Sequence, residues 1–280
     1  MHQFELRSPT PSGTQPAPSL ATVFAGFLDR MLASCTGVEQ SPKNRARVEG
    51  LHAAEYRAEP LCAANSTAAI DLVCAQFASE PLTLVVGFSS EVLRATIEAI
   101  VADCIALDAA PSVVITSRGE AVAVGITVPF EEVLTIAPGM PPEVARLFAA
   151  MNQVNAHVTS VRQRLGDPLR GMFEWLLAAV APEHRRRLPV AESCRPASMF
   201  QTMVLTVFQV ARQRGYRTVM AHTNEQSARP LFDLGLVTEM ALPYSELVEK
   251  VRTDIPGNLN FTTGDLHRIL APFDHPDVRR

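Results

Sequence analysis

The chain has 280 residues, a net charge of −4 and an apolar share of 47%, which fits one large domain or one domain with an appendage. The charge balance, with a pI near 6.0, argues against a nucleic-acid binder. No apolar run reaches the roughly 20 residues of a membrane span.

The N-terminus, MHQFELRSPTPSGTQPAP, lacks the basic-then-apolar order of a secretory signal. The cysteines, Cys35, Cys62, Cys74, Cys104 and Cys194, are odd in number and widely spaced. Neither a disulfide framework nor a zinc site is expected; reduced thiols in a cytoplasmic protein are. The histidines are scattered, and His184 stands in a solvated basic run, so no metal site is expected.

Residues 8–19 are rich in Pro, Ser and Thr and read as a mobile segment. A helix follows around ATVFAGFLDRMLAS, with Phe24, Phe27, Leu28 and Met31 on one face. Gln40 to Arg47 is polar and reads as a loop. Ser66 can cap a helix from Thr67 to Phe77. A break follows at Glu80-Pro81-Leu82, then a second helix from Ser90 to Leu107 with Leu93, Ile97, Ile100 and Val101 on its apolar stripe. Ser112–Ser117 and Ala121–Pro129 read as strands of a hairpin turned at Arg118-Gly119-Glu120. The pattern then predicts helices over Pro142–Leu165 and Met172–Val180, a short strand over Leu188–Ser193 and a long helix over Ala197–Arg214. Gly215 stops that helix. Arg217–Ala221 reads as a strand, Thr223-Asn224 opens a helix that Gly235 closes, and Met240–Tyr244 reads as a strand. This order predicts an α/β or α+β domain on a mostly antiparallel sheet with one parallel crossover.

Three stretches carry a resemblance. They are Phe77-Ala78-Ser79-Glu80-Pro81-Leu82, the hairpin VVITSRGEAVAVGITV, and TNEQSARPLFDLGL followed by the segment from Tyr244 through Leu259-Asn260-Phe261 to His267. In this order they resemble the GNAT superfamily of N-acyltransferases, in its arylalkylamine and dopamine N-acetyltransferase-like branch, from Tyr56 to about Phe273. The resemblance implies the GNAT fold, with splayed central strands flanked by helices. It implies an acyltransferase domain over residues 51–280, with a helical insertion at about 131–187 and an N-terminal extension over 1–50. A cap over the cleft and an interface with a second copy of the chain, as in a homodimer, are both open roles for that extension.

The resemblance also implies acyl transfer, acetyl in the first instance, from an acyl-CoA to a primary amine of a small molecule. An alkylammonium must lose a proton before it can attack a thioester, and Glu80 is the residue implied for that step. The reading that needs no function is a turn glutamate capping a helix. Thr223 and Ser227 stand four residues apart, and on a helix start they face the same way. One such hydroxyl, or Tyr244 on the final strand, is the implied proton donor to the departing thiolate; capping serves equally for one of the pair. Asn224 matches an asparagine near the pantetheine. The CoA diphosphate loop is implied at Arg195-Pro196-Ala197-Ser198-Met199-Phe200, since Arg195 stands twenty residues before Gly215. Its amides would bind the diphosphate at a helix N-terminus. Ser198 and Phe200 replace small residues of that loop. If the Phe200 ring fills the phosphate pocket, the chain is instead a repurposed scaffold for another ligand, a carrier protein or a partner. If it joins Met203, Val204, Val207 and Phe208 as core, CoA binding survives. Phe148, Met151, Phe173 and Trp175 could line an apolar acceptor pocket or serve as core.

Overall fold

The computed structural model describes residues 18–35, 42–52, 54–107, 110–130, 140–164, 171–185, 187–188, 196–247 and 255–274. The elements run α1 (Leu20–Ala33), α2 (Pro42–His52), β1 (Tyr56–Pro60), α3 (Ser66–Phe77), α4 (Pro81–Val86), α5 (Ser90–Leu107), β2 (Val113–Ser117), β3 (Glu120–Pro129), α6 (Pro142–Arg164), β4 (Met172–Val180), α7 (Met199–Gln213), β5 (Thr218–Thr223), α8 (Glu225–Phe232), β6 (Val237–Pro243), α9 (Tyr244–Leu247), β7 (Asn258–Asp265) and α10 (Leu266–Leu270).

The strands form one sheet in the order β1-β2-β3-β4-β5-β7-β6. Its one parallel pairing is β4 with β5, across the α7 crossover. The β2–β3 hairpin turns on Arg118 and Gly119, both at positive φ, which matches the twist of the flanking strands.

β3 and β4 are largely apolar because both of their faces are covered. Val113, Val114 and Ile115 go alternately to two cores. On one face Met203, Val204, Val207 and Phe208 of α7 pack with Phe24 and Phe27 of α1, Phe173 of β4, and Leu266 and Leu270 of α10. On the other, Val73 of α3 and Ile97 and Val101 of α5 pack on Val124 and Ile126 of β3. Truncating a buried anchor such as Phe208 to Ala costs roughly 3–5 kcal/mol.

The strands β4 and β5 part company partway along. Their register ends at Trp175 opposite Ala221, whereas β4 continues beside β3 until Val180 lies opposite Ala123. A wedge-shaped opening results, and it positions everything described below.

Several elements differ from the sequence expectation. Met172–Val180 is a strand, not a helix, and lies in the sheet between β3 and β5. Pro42–His52 is a helix where a loop is expected. Tyr244 starts the short α9 rather than lying on a final strand, and β7 forms a further strand between β5 and β6. The cap of α3 is Asn65 rather than Ser66. The strand expected over Leu188–Ser193 lies almost wholly outside the described residues, as does Arg195.

Candidate active site

Glu80 begins α4. Its backbone is extended, Pro81 follows at the first helical position, and its carboxylate caps the helix by accepting from the amides of Leu82 at 2.8 Å and Thr83 at 3.2 Å. Both bonds fall on Oε2. The other oxygen accepts from the side-chain amide of Asn224, at the far end of β5. The expected capping role and the candidate catalytic position therefore coincide in one residue. Burial pushes the Glu80 carboxyl above the ordinary carboxylate value. The three donors, Thr83, Asn224 and Leu82, oppose that shift without cancelling it.

Asn224 is itself a helix cap. Its Oδ1 accepts from the Ser227 amide at 2.9 Å, and its own amide donates to Ser227 Oγ at 3.0 Å. This is the reciprocal arrangement of a capping box. Ser227 Oγ also donates to Asn224 Oδ1 at 3.1 Å. Thr223 and Ser227 are consequently not a helical pair. Thr223 ends β5 and α8 starts only after the Asn224 cap. Both residues nevertheless face one cavity. Thr223 Oγ1 is buried and has no hydrogen-bond partner.

That cavity, of about 460 Å³, fills the wedge between β4 and β5. Glu80, Asn224, Thr223, Ser227, Tyr244 and Phe200 all line it, so most of the residues singled out in the sequence meet at one place. Phe148, Met151 and Trp175 form apolar wall, whereas Phe173 is fully buried core. His222 also lines the cavity and was not expected. Its Nδ1 lies 3.0 Å from Oε1 of Glu174 on β4, and the two side chains are only 6% and 5% exposed. The available signal was a lone acid inside the apolar run MFEWLLAAV, which is lost once that run is read as a helix.

The start of α7 is the expected diphosphate loop. Ser198 is its cap and accepts from the Gln201 amide at 3.2 Å. The Gln201 side chain accepts from the Ala197 amide at 2.8 Å and donates to the Pro230 carbonyl at 3.2 Å. Ala197, Ser198, Met199 and Gln201 are all buried. Phe200 packs partly on the α7 core and also lines the cavity. In the expected diphosphate loop the Ala197 amide, and just beyond the loop the Gln201 amide, are taken by the chain's own side chains. Among the described residues no acidic, His or Cys cluster could hold a metal ion, and no helix is long and apolar enough to cross a membrane.

No protein-family model and no curated protein matches the sequence. Solved structures do match the fold. A polyamine N-acetyltransferase of Drosophila melanogaster that catalyses the formation of N-acetylagmatine aligns at a TM-score of 0.57 and 16% identity, covering 75% of this chain and 100% of the other. A mosquito arylalkylamine N-acetyltransferase-like 5b aligns at 0.54 and 13% identity, covering 75% and 100%. The C-terminal condensation domain of Ebony, in complex with β-alanyl-dopamine, aligns at 0.51 and 11% identity, covering 75% of this chain and 99% of the other. The chain has the GNAT fold, and its structural neighbours include polyamine and arylalkylamine N-acetyltransferases.

Proposed function

We propose that the chain transfers an acyl group from a thioester to a primary amine of a small molecule. The carrying observation is that a half-buried carboxylate, Glu80, lines the cavity where β4 and β5 separate, on a GNAT fold. The acyl thioester enters the wedge. Glu80 takes a proton from the incoming ammonium; burial raises its proton affinity, which favours that step. The freed amine attacks the carbonyl. The apolar wall of Phe148, Met151 and Trp175 accommodates the carbon skeleton of the acceptor and excludes water.

Acetyl-CoA is the first donor to test. Calorimetric binding at micromolar level, followed by turnover with agmatine or an arylalkylamine that collapses in Glu80→Gln, supports the proposal. Unchanged turnover in Glu80→Gln removes Glu80 from the mechanism.

A second reading keeps the chemistry and changes the donor. The Ala197 and Gln201 amides are already engaged and the Phe200 ring lies in the cavity. These features favour a thioester on a carrier-protein arm, which brings no nucleotide diphosphate. Turnover of an acyl-pantetheine without binding of acetyl-CoA selects this second reading.

A further inference from the structure

We propose that His222, held by Glu174, is a proton shuttle in the acyl-transfer reaction proposed above, and the inference rests on that reading. Glu174 lies on β4 opposite Met220, and His222 lies two residues further along β5. With side chains alternating along each strand, Glu174 and His222 share the sheet face of Met172 and Met220. They meet where the two strands begin to part. Phe261 of β7 packs edge-on against the imidazole, with ring centroids 5.6 Å apart. The ring is thus fixed on one side by a carboxylate and on another by an aromatic.

The second imidazole nitrogen has no such partner. Nε2 of His222 is buried without a hydrogen bond, in a side chain that lines the cavity. Thr223 Oγ1 and Trp175 Nε1, from two further lining residues, are buried and unpartnered as well. A buried polar atom left unpaired destabilises the fold. By the same alternation Trp175 and Thr223 lie on the opposite sheet face, so His222 Nε2 is the unpaired atom on the Glu174 side of the wedge. With its Nδ1–H given to Glu174, the imidazole presents a lone pair on Nε2, and the carboxylate stabilises the imidazolium that forms when Nε2 takes a proton.

The proton count gives this group a task. An alkylammonium and a thioester yield an amide, a thiol and one released proton. The nitrogen therefore loses two protons. Glu80 takes the first, before the N–C bond forms, and passes it to solvent. The second sits on the nitrogen of the tetrahedral adduct. His222 Nε2 takes it and delivers it to the sulfur as the C–S bond breaks and its electron pair moves to sulfur. His222 returns to its neutral form, so the cycle closes. Ser227, an alternative donor, has its hydroxyl engaged with Asn224. His222 is the catalytic residue of this pair and Glu174 positions it.

The test compares the unaltered protein with His222→Gln and Glu174→Gln, using acetyl-CoA and S-phenyl thioacetate as donors and agmatine and phenethylamine as acceptors. His222→Gln is expected to lower kcat with acetyl-CoA about 100-fold while leaving KM in place. S-phenyl thioacetate, whose more acidic thiol departs without a proton, is expected to lose less than about tenfold. Nitrogen-15 NMR of labelled histidine reads the geometry without turnover. It is expected to show His222 with its proton on Nδ1 in the unaltered chain and on Nε2 in Glu174→Gln. This readout stands even if His222→Gln does not fold. Undiminished kcat in His222→Gln, or a resting Nε2–H tautomer in the unaltered chain, overturns the shuttle alone. Absence of turnover by the unaltered chain with both donors and with an acyl-pantetheine overturns the acyl-transfer reading and the shuttle with it.

Discussion

Asn224 donates its side-chain amide to Glu80 across 144 residues of sequence. The cap of α8 is thereby tied to the cap of α4. Both caps line the cavity, and this bond acts with the Leu82 and Thr83 amides to orient the Glu80 carboxylate.

Glu80→Gln is therefore expected to separate capping from chemistry. Gln retains an oxygen for the Leu82 and Thr83 amides, so folding survives, while kcat falls about 100-fold. Steady-state kinetics alongside thermal unfolding checks this. A persisting rate removes the proton-acceptor role.

The pH response has a definite sign. Burial holds the folded-state pKa of Glu80 above its ordinary value of 4.5. The folded state then binds the Glu80 proton more tightly than the unfolded chain does. The stability this contributes is fully present below the ordinary value and is lost as pH rises through the raised one. Activity runs the other way, falling as pH drops through the raised pKa. Asn224→Asp keeps a helix cap but sets a carboxylate against Glu80. The acid limb of kcat/KM is expected to move up by about one unit or more. An unmoved limb means that a different group controls it.

Gln201 gives a test of the diphosphate loop. Gln201→Met strands the buried Ala197 amide and the Pro230 carbonyl, at roughly 1–3 kcal/mol for each group left unpaired. Urea unfolding measures that loss. Acetyl-CoA is expected to raise the melting temperature of this variant more than that of the parent, because the Ala197 amide becomes available to phosphate. Equal shifts place the diphosphate elsewhere.

Gly125 controls the Trp175 wall. A Cβ at this position would stand 2.9 Å from Trp175 Cη2 and 3.0 Å from Cζ2. Gly125→Ala is expected to cost about 1–3 kcal/mol and to turn the indole within the cavity it lines. Amine KM should then rise for arylalkylamines, as a panel of acceptors of graded size would reveal.

How far the sequence discloses this site depends on the range of the interactions involved. Strong helical periodicity places α5 at its observed bounds, and Arg118-Gly119 marks the hairpin turn. The capping chemistry of Asn224 and Ser227 is local, so it too is legible. The run MFEWLLAAV misleads because β4 is covered on both faces, which erases the alternation that distinguishes a strand from a buried helix. The same error hides Glu174, and with it the partner of His222. Phe200 shows a different limit: its place on the α7 stripe predicts core, yet at the first turn the ring also reaches the wedge. The Glu80–Asn224 bond joins segments that no local pattern relates.

The N-terminal helix has a practical consequence for handling the protein. Phe24 and Phe27 of α1 are part of the α7 core, and Met31 accepts a hydrogen bond from Thr202. A shortened chain lacking residues 1–35 would bare a continuous apolar stripe along α7 to solvent. Such a stripe drives self-association. The shortened protein should precipitate or elute as large species in gel filtration, although every residue lining the wedge is still present.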